Sequence, residues 1–364
     1  MAQSIDVSHI SCPAPRRDHA QVQLGHGSGG TLTAELIRQV FLGGVAPAGG
    51  PLEDAAVLPL TAPAATGGLP PGQEPLRLAF TTDAFVVQPL FFPGGNIGDL
   101  AVHGTINDLA VSGAQPLYLS AAFILEEGLA IADLQRIVDS MHRACAAAGV
   151  PLVTGDTKVV DRGKGDGVFI TTSGVGVVPV GCRLSIAAAQ PGDRLVVSGT
   201  LGDHGITIMS TREGIEFETQ LTSDTAALHE LTASMLAACP SIRAMRDPTR
   251  GGLASALNEL AAASGVGVVI EEAAIPLRPE VRAACEMLGL DPLYVANEGK
   301  LIAVVPEDAV ERLLATMRAH PLGYQAAVIG TVVAEHPGVV VQRSLIGGLR
   351  MVNMLAGEQL PRIC

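Results

Sequence analysis

Tryptophan is absent from this chain of 364 residues, and tyrosine occurs only three times. The core must therefore be built from small aliphatic side chains, which suits an α/β architecture better than an aromatic-rich binding module. The six cysteines, Cys12, Cys145, Cys182, Cys239, Cys285 and Cys364, form no CxxC pair and no short-spaced cluster. That argues against a structural zinc site or a disulfide framework and fits a reducing cytoplasm. No apolar run reaches the ~20 residues that a membrane span needs. The N-terminus lacks the basic start and apolar stretch of a secretory signal. A net charge of −13 leaves no basic stripe, so the field of the molecule repels polyanions and nucleic acid is not an expected partner. A phosphate ligand has to be held locally, by backbone amides, a few cations or a metal.

Hydrophobic residues make up 48% of the chain, enough for a large core, and the length favours two domains. Residues 1–21 are polar and aperiodic and read as a flexible arm. A first domain is expected over 22–190. It opens with Gly25-His26-Gly27-Ser28-Gly29-Gly30 leading into a helical stretch from Leu32 to Phe41. A Pro/Gly/Ala-rich insertion from Pro59 to Pro75 precedes a strand over Leu76–Thr82 that stops at Asp83. Helices are expected over Ile97–Val111 and Ile131–Ala148, the second ending at Gly149 as a C-terminal cap. Strands at Val150–Val153 and Val168–Val178 flank a polar loop, Gly155–Gly167. A second domain, 191–350, restarts the β/α alternation at Pro191-Gly192-Asp193. Its helix from about Thr249 to Ala263 takes Asp247 as its cap and Pro248 as its first residue. Strands at Leu195–Ser198, Leu301–Val305, Ala326–Val333 and Val339–Gln342, with a helix at Glu307–Ala319, complete it. Residues 351–364 form a loose tail.

Asp54, Asp83, Asp108 and Asp156 all fall at element ends or in loops. Hard oxygen ligands of this kind suit Mg²⁺, which takes one or two carboxylates together with phosphate oxygens. Each taken singly also suits a cap or a turn. The loop Gly27-Ser28-Gly29-Gly30 is no Walker motif, lacking the Gly-Lys-Ser/Thr ending, yet a glycine-rich entry to a helix can receive an anion. Lys158 can meet a phosphate or serve as an acid or base, or remain a solvated lysine. Glu298 directly precedes a strand and is either a base or a turn residue paired to Lys300. Arg250 and Gly251 open a helix and can hold an anion with guanidinium and amide. The terminal Pro361-Arg362-Ile363-Cys364 places a thiol at a reachable chain end, and eight extended residues from Gly357 span roughly 26 Å. Arg362 favours the thiolate while the adjacent terminal carboxylate opposes it.

Taken together, His26-Gly27-Ser28-Gly29-Gly30, His103-Gly104-Thr105-Ile106-Asn107-Asp108, Gly155-Asp156-Thr157-Lys158, Arg246-Asp247-Pro248-Thr249-Arg250-Gly251-Gly252, Asn297-Glu298-Gly299-Lys300 and the PRIC terminus resemble the HypE family of hydrogenase maturation factors. That family lies within the PurM-like, AIR synthetase-related superfamily of ATP-using enzymes. The resemblance runs from end to end, and the PRIC ending is its most specific part. It implies an α/β (α+β) PurM-like two-domain fold, with an N-terminal sheet domain that dimerises, a C-terminal α/β domain and a flexible tail.

It also implies a carbamoyl dehydratase using ATP and Mg²⁺. A carbamoyltransferase, HypF, loads a carbamoyl group on Cys364. The enzyme converts this S-carboxamide to an S-cyanate, and cyanide passes to iron on a HypC–HypD scaffold of [NiFe]-hydrogenase maturation. In that scheme Cys364, Lys158 and Glu298 are catalytic, and Gly27, Ser28, Gly29, Gly30, Asn107, Asp108, Arg250 and Gly251 bind nucleotide. Asp54, Asp83, Asp108 and Asp156 hold the metal. Two other readings remain. A thiamine-phosphate kinase of the same superfamily, suggested by Asp54-Ala55-Ala56-Val57, has no use for a terminal thiol. A non-catalytic adaptor would only present its tail to partners.

Overall fold

The computed structural model describes residues 21–42, 52–60, 74–215, 221–357 and 362–364. The expected arm, except for its last residue, and most of the Pro59–Pro75 insertion lie outside these. The strands are β1 (Ala56–Pro59), β2 (Arg77–Phe85), β3 (Phe91–Phe92), β4 (Gly95–Asn96), β5 (Gln115–Glu126), β6 (Leu152–Val160), β7 (Val168–Val178), β8 (Arg194–Val197), β9 (Ala244–Arg246), β10 (Gly267–Glu271), β11 (Ile302–Val305), β12 (Ala327–Val333), β13 (Val340–Arg343) and β14 (Leu349–Val352). The helices are α1 (Thr31–Leu36), α2 (Ile97–Val111), α3 (Ile131–Ala148), α4 (Asp203–Glu213), α5 (His229–Ala238), α6 (Gly252–Ser264), α7 (Pro279–Leu288) and α8 (Val310–Arg318).

Two large sheets organise the chain. The first has the order β1-β2-β7-β5-β6 and the second the order β14-β13-β10-β12-β8-β11-β9. Within the first, only β5 and β6 run parallel; β1, β2, β7 and β5 pair antiparallel. Successive side chains of a strand point to opposite faces, and β2 alternates accordingly: Ala79, Thr81 and Phe85 are buried while Phe80, Thr82 and Ala84 are exposed. The inner face packs on α2, whose residues are buried on nearly every side. A helix apolar all round belongs in an interior, and α2 lies between the first sheet and α5 of the second unit. Its start is set by a capping box in which Asn96 Oδ1 accepts from Gly98 N at 2.8 Å and Asp99 Oδ2 accepts from Asn96 N at 2.9 Å.

Helices α2 and α3 and strand β7 fall where the apolar spacing places them, and Gly149 closes α3 in the left-handed region with φ 67°. Other expectations are corrected. The polar segment after Val153 is no loop: β6 continues to Val160, its backbone paired to β5 from Leu119 to Glu126. The stretch after Leu32 is helical, but its second half, Ile37–Phe41, is wound as a π-helix. The helix expected from Thr249 starts three residues later, with Gly251 rather than Asp247 as its cap; Gly251 has φ 74°, where a side chain would be strained. The tail is shorter than expected at its start, since Met351 and Val352 belong to β14. Its end is not loose: Ile363 forms a bridge with Val87 and is buried at 6% exposure.

Candidate active site

A cavity of about 810 Å³ opens between the two sheets' units, and Asp54, Asp83, Asp108, Asp247, Glu298 and Cys364 all line it. Each arrives from a different element. Asp83 is on the inner face of β2, Asp108 lies in the last turn of α2, and Asp54 precedes β1. Asp247 follows β9, Glu298 lies in the loop before β11, and Cys364 is the last residue of the chain.

The carboxylates of Asp54, Asp108 and Asp247 have oxygens within 4.8 Å of one another. Burial raises all three: Asp54 to about 6, helped by Glu259, Glu53 and Asp83, and Asp108 and Asp247 well above the usual carboxylate range, helped by their acidic neighbours. Asp83 is raised as well, chiefly by burial and against the pull of Arg250. The neutralising groups at hand are few. Arg246 sits 3.4 Å from Asp54 but is shared with Glu259, and the Thr81 hydroxyl donates to Asp108 at 2.6 Å. A buried set of hard oxygen donors with so little countercharge fits a divalent cation such as Mg²⁺.

Asp247 was the residue that sequence reasoning missed, because Asp-Pro before an apolar run has the pattern of a helix start. Asp156 and Lys158 show the converse. Both lie on β6, opposite Ala122 and Ile124 of β5, which in turn face Thr171 and Phe169 of β7; Thr171 faces Ala84. That row is the outer face of the first sheet. Asp83 is on the inner face, so the strand's alternation keeps Asp156 away from the acidic cluster of its own chain. The two side chains pair with each other at 2.8 Å, with exposures of 71% for Lys158 and 69% for Asp156.

The glycine-rich loop is a clasp as much as a cradle. Thr31 N donates to Leu355 O at 2.8 Å, the Ser28 hydroxyl lies 2.7 Å from Gly357 O, and Arg250 Nη1 donates to Gly27 O at 3.1 Å. A Cβ on Gly30 would stand 2.1 Å from Leu355 O, so the close approach of two backbones requires glycine there. Of the loop, Gly29 reaches the cavity, whereas Gly27, Ser28 and Gly251 line a smaller neighbouring pocket together with Arg250, Ile363 and Cys364. Asn107 is fully engaged by protein. Its Nδ2 donates to Ala226 O and Glu298 O, both at 3.0 Å, and its Oδ1 accepts from Leu228 N at 2.8 Å. It therefore fixes the Glu298 loop against α2 instead of offering an amide to the cavity.

Glu298 is not paired to Lys300, which is bound to Asp224 at 3.1 Å. Its backbone N–H donates to Asp224 Oδ1 at 3.0 Å, and Asn297 beside it is held by Pro248 O and Gly202 N. The carboxyl is buried at 3% exposure, and its Oε1 has no hydrogen-bond partner. Burial, with Asp83, Asp224 and Asp247 nearby, pushes its pKa well above the usual range. The Cys364 thiol lies in hydrogen-bonding reach of it and is itself pushed far up by burial and by that carboxyl. The docked thiol is therefore protonated and is not a nucleophile.

This two-sheet chain falls in the AIR synthase-related class. The model of the N-terminal domain of AIR synthase-related proteins matches residues 52–178, and that of the C-terminal domain matches 190–342. The chain belongs to the HypE family of carbamoyl dehydratases within that class, enzymes of hydrogenase maturation. It is 58% identical over 346 residues to carbamoyl dehydratase HypE of Azotobacter vinelandii, covering 95% of this chain and 98% of the relative. A crystal structure of HypE in complex with ATP matches with a TM-score of 0.77 at 47% identity, over 94% of this chain and all of that one. A crystal structure of a HypE–HypF complex matches with a TM-score of 0.79 at 43% identity, covering 88% of this chain and 99% of that one.

Proposed function

We propose that the chain dehydrates a carboxamide carried on its own Cys364 to an S-cyanate, using ATP, and that cyanide is then delivered to iron on a HypC–HypD scaffold. The observation that carries this reading is the seating of the terminal thiol against Glu298 in a cavity whose other wall is acidic. An incidental terminal cysteine has no reason to be seated half-buried there with its penultimate residue in the core.

The chemistry is a loss of water assisted by phosphorylation. The carboxamide oxygen attacks the γ-phosphorus of ATP, ADP leaves, and loss of one of the two nitrogen protons to solvent gives an O-phosphorylated imidate. Removal of the nitrogen proton then drives breakage of the C–O bond, giving the S-cyanate and phosphate. Glu298 is the base. A base must be ionised, and Arg250 beside it favours the carboxylate against the burial that raises its pKa. Asp54, Asp83, Asp108 and Asp247 would hold Mg²⁺, which when bound neutralises the triphosphate. Gly29 and Arg250 line the same wall and are the nucleotide contacts the geometry favours. Gly27, Ser28 and Gly251 shape the adjoining loop.

The docked thiol is half-buried and held protonated by burial and by Glu298, which disfavours loading in that position. A HypF carbamoyltransferase therefore meets the tail outside. We further infer a homodimer through the outer face of the first sheet, where Leu58, Phe80, Tyr118 and Ile124 are exposed. Lys158 and Asp156 stand on that face, so a contact of Lys158 with transferred phosphate is made across the dimer.

The deciding experiment is intact mass spectrometry of the full chain with HypF, carbamoyl phosphate and ATP. A carbamoyl adduct on the C-terminal peptide that loses one water only when ATP is present is the expected result. Absence of an adduct on Cys364 would overturn the reading.

A further inference from the structure

The docked tail is held by its main chain. Val86 N donates to a terminal oxygen of Cys364 at 2.9 Å and Gln88 N to Arg362 O at 3.1 Å, a short antiparallel pairing with the first unit. Ile363 sits in the apolar cluster with Phe85, Val87, Phe92 and Ile208. Its own carbonyl faces the other way, into the second unit, where His204 Nε2 lies 2.6 Å from it. A carbonyl can only accept, so Nε2 carries the proton. The ring is buried, and its Nδ1 accepts from the Ser223 hydroxyl at 2.8 Å. Phe92 meets the ring edge-on at 5.6 Å between centroids. Two turns further along α4, Arg212 Nη2 donates to Arg362 O at 2.9 Å and to Gln88 O at 2.8 Å. One helix of the second unit thus grips two consecutive tail carbonyls, Arg362 O and Ile363 O, while the first unit pairs Arg362 O and the Cys364 oxygen from its own side.

We propose that His204 and Arg212 are positioning residues that latch the tail inward, and so divide its time between loading by the transferase and dehydration at Glu298. The inference rests on the carrier role of Cys364 proposed above. None of the latch contacts touches the sulfur, so the grip on residues 362 and 363 is the same whether the sulfur is free, carbamoylated or cyanated. The latch also closes only when both units are in place, because each contributes one side of it.

The test uses the full-length protein and a pulse of iodoacetamide, with labelling of Cys364 read by mass spectrometry on the peptide that a Glu-specific protease releases after Glu358. Losing one buried hydrogen bond from the docked form predicts that His204→Ala labels about tenfold faster, equivalent to about 1.4 kcal/mol. His204→Gln, whose amide can donate to the same carbonyl, returns to within about threefold of the unmodified rate. Arg212→Ala, at the rim where truncation leaves the core intact, rises about threefold or more. With the transferase and carbamoyl phosphate, loading of these variants is as fast as or faster than normal, while dehydration per loaded tail falls. A protein merely damaged by the substitution would lose both steps together, and that outcome overturns the proposal. Unchanged labelling in Arg212→Ala and in a folded His204→Ala also overturns it, and if His204→Ala does not fold the Arg212 result decides alone. If Cys364 never accepts a carbamoyl group, the carrier reading fails while the labelling still reports whether the latch exists.

Discussion

Glu298 and Asp247 carry most of what is distinctive about the site, and each was open to misreading for the same reason. A carboxylate next to a lysine, or before a proline and a helix, has an ordinary structural use, and only the fold shows that the use is taken by another residue. Lys300 is bound by Asp224, which leaves Glu298 facing the thiol. Gly251 caps α6, which leaves Asp247 to the acidic cluster. Replacing Glu298 with Gln removes the proposed base while keeping shape. It is expected to slow dehydration of a loaded tail by about 10²-fold or more, measured as single-turnover loss of water by mass spectrometry, with loading unaffected. Asp247→Asn is expected to weaken Mg²⁺ binding in calorimetry, whereas Asp156→Asn is expected to leave the affinity of an isolated protomer's cluster unchanged. The terminal cysteine and Asp54, Asp83 and Asp108 were legible because their types and neighbours are unusual together. His204 was not, since a histidine after Gly-Asp carries no periodic or motif signal.

At the scale of elements, the periodic spacing of apolar residues located α3, while α2 and β7 were located as apolar runs of helix and strand length. It failed for β6, where Gly155-Asp156-Thr157-Lys158 is polar on both faces. An exposed strand at the sheet edge needs no buried side chain to be held, only the backbone pairing to β5. It failed for α4 too, whose buried side chains include Asp203, His204 and Thr207. A helix that presents polar groups inward shows no apolar stripe. Asn107 makes three of the hydrogen bonds that join α2 to the second unit. Asn107→Ala would strand two carbonyls and one N–H in the interior, so a loss of about 2–4 kcal/mol is expected in denaturant unfolding. Dehydration should fall with it, since the Glu298 loop loses its tether.

For the molecule as a whole, the acidic cluster sets a pH dependence whose sign is opposite to that of salt-bridged carboxylates. The folded pKa of Asp54 is raised from 3.8 to about 6, so between about pH 4 and 6 the folded chain binds more protons than the unfolded one. Stability from this group is present below pH 4 and is lost as pH rises through 6. Asp108 and Asp247 extend the loss to higher pH. A cation bound only by the folded, ionised cluster stabilises in proportion to the logarithm of its concentration over its dissociation constant. Mg²⁺ should therefore raise the melting temperature more at pH 8 than at pH 5.5, and Asp54→Asn should shrink that difference. Thermal scans across pH with and without Mg²⁺ measure both. The exposed apolar outer face of the first sheet makes a separate prediction. Tyr118→Asp, at 53% exposure, places charge where two sheets would pack and is expected to shift the particle to monomer in light scattering, with little change in protomer melting.

The bridge between Ile363 and Val87 has a kinetic consequence of another kind. On the proposed function the carried group is tethered to the same polypeptide as Glu298, so its local concentration at the carboxyl is fixed by chain geometry and is indifferent to dilution. An enzyme built this way shows saturation toward nucleotide but none toward the carboxamide. Each protomer completes one turnover per loading, and the rate observed at low protein concentration reports how often the arm changes places.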